Sequence, residues 1–247
     1  MDKIKVQVLN PEVVKDAEQM MVFCARLTQR GHGIHNMDDL LELKNKPYKP
    51  ETVSGMCHLP HPTIQKFGVI NVAVVGASRR FLAQITRHQN EVKFMSASLQ
   101  YSDYTGAAEF CVPIGIIRKG EGAVNHYNDV CRNSMEEYEW FIKCGADNDA
   151  AGYMAPQGLR NVLIISATPY QWKHMISQRT CRRNTDETQY VMLQIWRELE
   201  KLSGMFEDCG APCTRSKCPE GKMTCGRPVP GGVGPEEILG LDFPEVI

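Results

Sequence analysis

This sequence has no long apolar run, no excess of one charge and no common nucleotide-binding loop. No stretch approaches the roughly 18 consecutive apolar residues of a membrane span, so we expect no membrane association. The 28 Lys and Arg residues balance 29 Asp and Glu residues, which excludes an overall basic field that would attract a nucleic-acid polymer. A bound phosphate would therefore need local arginines.

Several signatures of cofactor and metal sites are also missing. There is no G-x-G-x-x-G after a strand and no Walker loop, which argues against a nicotinamide or flavin held in a Rossmann crevice. H-E-x-x-H and G-x-S-x-G do not occur, and no metal site is predicted. The opening "MDKIKVQVLNPE" has no apolar stretch of the signal-peptide kind, so we expect a soluble, cytoplasmic protein.

The 247 residues, of which 43% are hydrophobic, allow one sizeable core. Hydrophobic periodicity and capping residues predict a domain of the α/β type. The predicted elements are a strand in "KIKVQVL", a helix capped by Asn10 that ends before Gly31, a strand over residues 67–75 that ends at Gly76, a helix "RRFLAQITRHQ" capped by Ser78, a helix that ends at Gly145, a helix "PYQWKHMISQRTCRR" that begins after Thr168, and a helix over residues 188–202.

The helix after Ser78 carries a polar group of side chains. Gln84, Arg87 and His88 stand at i, i+3 and i+4, so on a helix they share one face. Helical geometry alone favours a solvent-facing surface for them. Arg87, Arg160 and Arg179 each lie beside apolar segments, where a guanidinium needs a carboxylate or a ligand phosphate as its partner.

Ten cysteines divide into two groups. Cys24, Cys57, Cys111, Cys131, Cys144 and Cys181 are scattered, which is typical of small buried apolar side chains in a reducing compartment. Cys209, Cys213, Cys218 and Cys225 crowd an irregular tail with C-x3-C-x4-C-x6-C spacing. Zinc prefers two close C-x2-C pairs, so free thiols, or a disulfide formed on oxidation, are favoured over a zinc site.

Two blocks of the sequence resemble the flavin-dependent thymidylate synthases. "LPHPTIQKFGVINVAVVGASRRFLAQITRHQNEVKFMSASLQYS" is similar to the family signature of Arg-His-Arg followed, seven or eight residues later, by Ser. Arg87, His88 and Ser98 match it, whereas Gln89 stands at the third position. In "SATPYQWKHMISQRTC", His174 precedes Arg179 by five residues, as in the cofactor helix of the family. The resemblance covers about residues 60 to 226.

The resemblance implies an α/β (α+β) fold with a mixed central sheet flanked by long helices. It implies a synthase domain over residues 1–206, a Cys-, Pro- and Gly-rich tail over 207–247, and a homotetramer with sites shared between subunits. The implied reaction converts dUMP to dTMP by reductive methylation at C5. Methylenetetrahydrofolate would supply the carbon, FAD would carry hydride, and NADPH would be the reductant.

The resemblance also implies roles for individual residues. The catalytic pair would be Arg179, which activates the substrate, and Ser98. No adjacent base is evident for Ser98, so we expect a hydrogen-bond partner of the nucleotide rather than a nucleophile. The predicted substrate-binding residues are Gln84, Arg87, Ser98, Gln100, Arg160 and Arg179, and the predicted cofactor-binding residues are Arg87, His88, Gln89 and His174.

Two departures from the family pattern affect the predicted substrate. Where the family has Ser-x-Arg-Tyr, this sequence has "SLQY", so Gln100 replaces an arginine; Lys93 is a candidate to compensate. Gln89 and Gln100 together leave open another pyrimidine nucleotide, such as UMP or dCMP. Two other classes also remain open, a cysteine-dependent thymidylate synthase that uses Cys213 and a non-enzymatic zinc-tail binding module.

Overall fold

The computed structural model describes residues 3–106, 109–207 and 209–246. Its strands are β1 (Lys5–Val8), β2 (Ile70–Ser78), β3 (Val92–Ser96) and β4 (Arg160–Ala167). The α-helices in the described ranges are α1 (Pro11–Arg30), α2 (Met37–Asn45), α3 (Pro50–Cys57), α4 (Arg79–Ile85), α5 (Ile114–Ile117), α6 (Glu121–Lys143), α7 (Asn148–Ala151), α8 (Pro169–Arg179), α9 (Asp186–Leu202) and α10 (Pro235–Asp242). Among them, no helix is long and apolar enough to cross a membrane.

The four strands form one sheet in the order β1-β2-β4-β3. Each neighbouring pair is antiparallel, so the fold class is confirmed but the expected mixture of strand directions is absent from the described sheet. Apolar and β-branched residues predict that a strand exists, whereas its direction depends on which strand it pairs with. Local sequence patterns therefore do not predict the relative directions of the strands.

Helices cover one face of the sheet. Val72 and Val74 of β2 are fully buried and pair with Ile165 and Leu163 of β4. Their apolar side chains join those of α1, α8 and α9 in the main core. On the opposite face Val162 remains 47% exposed, because side chains alternate between the two faces of a strand.

The first helix begins and ends as its capping residues predict. Asn10 is the N-cap, Pro11 is the first helical residue and Gly31 follows the end. The Asn10 side chain donates to the carbonyl of Val69 at 2.9 Å and accepts from the amide of Asn71 at 2.8 Å. These two bonds fix the start of α1 beside the start of β2.

The second strand extends beyond its predicted end at Gly76. It continues to Ser78 through a register shift between Val75 and Ala77. Gly76 has φ +87°, and a Cβ there would lie 2.8 Å from Nη1 of Arg160. Glycine permits both the left-handed backbone and the close approach of this guanidinium, so the residue bends the strand rather than ending it.

The segment after residue 208 contributes to the core. Its predicted irregularity is wrong for α10, which packs Ile238 and Leu239 against the main core together with Phe243. The pattern was missed because the helix has only eight residues and lies among many Pro and Gly residues. The division of the chain at residues 206 and 207 stays a prediction.

An ion pair fixes α10 to the turn between α8 and α9. Arg182 Nη2 lies 2.5 Å from Asp242 Oδ1, and Gln189 Nε2 donates to Asp242 Oδ2 at 2.7 Å. Both charged side chains are at most 16% exposed. The charges are therefore largely removed from water, where loss of one partner is costly.

Replacing Asp242→Ala should lower the free energy of unfolding by about 3 kcal/mol, because it leaves the Arg182 guanidinium without its carboxylate. Chemical denaturation of the two proteins measures the difference. Asp129→Ala is the control, because Asp129 pairs with Arg132 at an exposed position and exposed pairs contribute little. Equal losses in the two variants would contradict the prediction.

Candidate active site

The helix α4 ends before the signature residues that it was predicted to carry. Ser78 caps it as predicted, because its Oγ accepts from the amide of Phe81. The helix ends at Ile85, and Thr86 donates its hydroxyl back to the carbonyl of Leu82 at 2.8 Å. The amide of His88 then bonds to the carbonyl of Ile85, three residues earlier, which tightens the chain into a turn.

The predicted common helical face is therefore wrong. Gln84 belongs to α4, whereas Arg87 and His88 lie in the turn that follows. The Leu82 carbonyl accepts from both the amide and the hydroxyl of Thr86, a local side-chain bond that periodicity alone does not reveal. The turn, rather than the helix, determines where the signature side chains point.

Arg179 brings the two sequence blocks together. Its Nε donates to Nε2 of His88 at 2.8 Å, its Nη2 donates to the carbonyl of Gln84 at 3.1 Å, and its Nη1 donates to Oδ1 of Asn184 at 3.2 Å. All three acceptors are uncharged groups. The guanidinium is thus held in position while its positive charge stays available to a ligand.

Helix α8 supplies this arginine through ordinary packing. Thr168 caps the helix, Pro169 occupies its first position, and Trp172 and Ile176 are fully buried. Trp172 Nε1 also donates to the carbonyl of Ile70 at 3.1 Å. These contacts fix the helix against β2, and its last residue, Arg179, reaches the turn after α4.

His88 is neutral in this arrangement. Arg179 Nε carries a hydrogen, so Nε2 of His88 must accept and the other ring nitrogen must carry the proton. Burial lowers the pKa of His88 to about 4, with further lowering by the positive charges of Arg179 and His174. The two histidine rings stand edge to face at 5.9 Å. Burial, followed by the charge of Arg87, also lowers the pKa of Arg179.

Three predicted cofactor residues lie at the exposed edge of this cluster. Arg87, Gln89 and His174 are solvent-exposed. His174 contacts the ring of His88, and Arg87 is close enough to affect Arg179 electrostatically. In the described ranges Arg87 forms no salt bridge, which leaves its charge available for an anionic ligand.

A second group of predicted residues lies apart from Arg179. Ser98 Oγ accepts from the amides of Gln100 and Tyr101 at 3.1 and 3.3 Å, so it shapes its own loop. Arg160 Nε donates to the carbonyl of Phe110 at 3.1 Å and lies 3.7 Å from Glu109. No contact of the described residues joins Ser98, Gln100 or Arg160 to the Arg179 cluster.

Arg160 borders a cavity of about 320 Å³. Ala97, next to Ser98, lines the same cavity together with Asn161 and Gly76. Nδ2 of Asn161 is buried and has no hydrogen-bond partner among the described residues. A buried unpaired amide is costly, so this group beside the cavity would be stabilised by a polar ligand that reached it.

No role for Arg79 was predicted from the sequence. In the described ranges its Nη1 is buried without a hydrogen-bond partner, and the side chain borders a cavity of about 560 Å³ with Thr86, Ser96 and Gln157. A signal was present, because cations are disfavoured in the first turn of a helix and Arg79 begins α4 directly after its cap. An anion in this cavity would compensate both costs.

Asn184 and part of the tail were also missed. Asn184 holds Arg179, and its own Nδ2 donates to the carbonyls of Gln178 and Cys181 at 2.9 and 3.0 Å. A cavity of about 460 Å³ next to Arg179 is lined by Cys181, Cys213 and other residues. The Asn184 bonds are local, within six residues along the chain, whereas the cavity joins α8 to residues 211–220, which no local spacing encodes.

Comparison with known proteins identifies the family. A model of the family described as thymidylate synthase complementing protein matches residues 11–203. The chain belongs to this family. Curated relatives carry the name flavin-dependent thymidylate synthase. The Geobacter sulfurreducens relative is 22% identical over 213 residues, which is 86% of this chain and 90% of the relative. The Clostridium tetani relative is 23% identical over 243 residues, which is 91% of this chain and 94% of the relative.

Two solved structures share the fold of this flavin-dependent thymidylate synthase family member. The UMP/dUMP methylase PolB from Streptomyces cacaoi, bound with 5-Br dUMP, superposes with TM-score 0.64 at 17% identity and covers 84% of this chain and 94% of its own. Thymidylate synthase X from Helicobacter pylori, with FAD and dUMP, superposes with TM-score 0.61 at 15% identity. This match covers 83% of this chain and 98% of the Helicobacter pylori chain.

Family membership makes the chain a methyltransferase enzyme. It confirms the resemblance drawn from the two sequence blocks. It also favours a flavin-dependent enzyme over the cysteine-dependent synthase and the zinc-tail binding module. The roles of the individual site residues stay predictions.

The neutral state of His88 can be tested by titration. Nuclear magnetic resonance of ring-labelled histidine should show a neutral His88 at pH 5.5 and protonation near its pKa of about 4. Arg179→Met should raise this pKa, because it removes a neighbouring positive charge. The exposed Arg132→Met is the control and should leave it unchanged. A wild-type His88 that titrates near the ordinary value of about 6.5 would refute the assignment.

Proposed function

We propose that this chain catalyses the reductive methylation of dUMP to dTMP, with methylenetetrahydrofolate as carbon donor, FAD as cofactor and NADPH as reductant. One observation carries the proposal. A single guanidinium, that of Arg179, bonds to both Gln84 and His88 of the signature block, so the two blocks that resemble the family form one cluster. The relatives named flavin-dependent thymidylate synthase support the reaction type.

The residues present fit a flavin nucleotide. FAD carries a diphosphate, and the buried Nη1 of Arg79 has no partner within the described structure. Arg79 and Arg87 would bind phosphate oxygens, and His88, Gln89 and His174 would bind near the ring system. When bound, the cofactor supplies hydride transfer, and the protein supplies orientation.

Arg179 would activate the pyrimidine. Its charge is not neutralised by a carboxylate, since its acceptors are His88, Asn184 and the carbonyl of Gln84. Placed at a ring carbonyl, it would stabilise negative charge as that charge develops on oxygen. Neutral His88 would keep the guanidinium aligned without neutralising its positive charge.

Arg160, Ser98 and Gln100 would bind the nucleotide from the second group. Since this group has no contact with Arg179 in the described chain, we propose that sites are completed between subunits of a homotetramer. Val75, Val162 and Ile164 leave an apolar strip on the free face of the sheet, each at least 38% exposed. Burial of such a strip against another subunit would be favourable.

A second candidate substrate is UMP. Gln89 and Gln100 replace arginines of the family pattern, and a neutral amide provides a weaker bond to an anionic or strongly polar group. The fold neighbour PolB is named a UMP/dUMP methylase. Altered charge at these two positions would change which pyrimidine nucleotide is preferred.

The reaction is testable with the purified protein. We expect bound flavin near one FAD per chain, bleaching of its absorbance by NADPH, and methylenetetrahydrofolate-dependent reoxidation that is fastest with dUMP. Faster reoxidation with UMP or dCMP would exclude dUMP as the preferred substrate. Arg179→Gln should lower kcat by about a factor of 10² to 10³. Arg132→Gln, which changes an exposed arginine of α6, should retain the wild-type rate.

Ser98 should contribute to binding rather than to covalent chemistry. Its hydroxyl accepts two backbone amides, so Ser98→Ala should loosen the loop, raise KM for the nucleotide and keep measurable turnover. Steady-state kinetics with parallel measurements of FAD and dUMP binding provide the test. Complete loss of turnover in a variant that still binds both ligands would overturn this role.

A further inference from the structure

Four cysteines meet beside Arg179, and they are not the four that the tail spacing suggests. Cys181, Cys213 and Cys218 line the cavity of about 460 Å³. Cys225 is close enough to raise the pKa of Cys181 electrostatically, as Cys213 and Cys218 also do, although burial is the larger cause. Cys209 instead lies buried elsewhere, with its thiol directed at the carbonyl of Glu207. We call the set Cys181, Cys213, Cys218 and Cys225 the thiol ring.

Arg182 and Arg183, which follow Cys181, hold the tail beside the cavity. Arg182 Nη1 donates to the carbonyls of Arg227 and Pro228 at 2.9 and 3.1 Å. Arg183 Nη1 donates to the carbonyl of Met223. Cys225 stands between these anchored carbonyls, and its sulfur accepts from the amide of Arg227 at 3.4 Å. The position of the fourth thiol is thus determined by specific bonds.

The thiol ring has an unusual composition for a structural core. All four side chains are free thiols of intermediate exposure. Cys181, Cys213 and Cys218 border a cavity instead of packing as apolar side chains do. Arg179 and Arg183 border the same cavity. Three sulfurs and two guanidinium groups around one space, with the fourth thiol held nearby, favour a ligand that binds thiolates and carries net negative charge once bound.

The spacing of the thiols distinguishes between two kinds of thiolate-bound group. A single zinc ion requires sulfurs about 3.8 Å apart, as follows from tetrahedral Zn–S bonds of about 2.3 Å. In the described ranges, no three His, Cys, Asp or Glu side chains are close enough to hold one metal ion. A four-iron, four-sulfide cluster binds each of four cysteines at a different iron, so it accepts a wider ring.

We propose that Cys181, Cys213, Cys218 and Cys225 bind a four-iron, four-sulfide cluster. The four thiols lose their protons as the iron–thiolate bonds form. Arg179 and Arg183 offset the negative charge of the bound cluster. The cavity adjoins Arg179, the residue proposed above to activate the pyrimidine, but binding of the cluster does not depend on that reaction.

The metal content of the full chain tests the site. The protein is purified without oxygen, and its iron, acid-labile sulfide and zinc contents are measured. Mössbauer spectroscopy of iron-57-labelled protein, which flavin does not obscure, then identifies the type of cluster. We expect about four iron and four sulfide per chain. Stoichiometric zinc in place of iron would overturn the proposal. So would the absence of iron after anaerobic incubation with equal amounts of ferrous and ferric iron and with sulfide.

Variants test which cysteines are ligands. Cys181→Ser and Cys225→Ser should each lower iron content at least twofold. Cys209→Ser, which belongs to the sequence spacing but not to the thiol ring, and the exposed Cys144→Ser should retain wild-type iron. Circular dichroism establishes that each variant is folded. Full iron content in folded Cys181→Ser, or loss of iron in folded Cys209→Ser, would contradict the assignment.

Discussion

The bond between Arg179 and neutral His88 is the interaction on which the candidate site depends. A histidine that carried a second proton could not accept this bond, so the depressed pKa of His88 and the position of the guanidinium are parts of one arrangement. Burial provides most of that effect. The apolar packing of α8 through Trp172 and Ile176 therefore has an electrostatic result at the end of the helix.

The sequence was most informative where local chemistry determines local structure. Ser78 and Thr168 mark helix starts correctly, because their side-chain caps depend on a few neighbouring residues. Asn10 also precedes a helix, but its side chain bonds to Val69 and Asn71 instead of capping. The end of α4 was missed because the turn at Thr86 leaves no trace in the apolar periodicity. Strand directions were missed because pairing partners come from distant segments.

The residues of the candidate site show the same difference between local and tertiary features. Family spacing identified Arg179 and His88 as site residues, and the structure places them in contact. Asn184 holds Arg179 from only five residues away, but the family spacing does not include it. The environment of Arg79, whose buried Nη1 has no partner among the described residues, and the grouping of Cys181 with the tail thiols are tertiary features. Residue spacing along the chain does not predict them, because they depend on segments that meet only after folding.

The anchoring of the last segments to Arg182 has a consequence for protein synthesis. The cavity beside Arg179 has one wall from α8 and another from residues after 208, and the Arg182–Asp242 ion pair holds α10 against the same turn. During translation, the sheet and α8 leave the ribosome before this second wall exists. The order of emergence along the chain therefore leaves the cavity without its second wall until residues 211–220 have been synthesised.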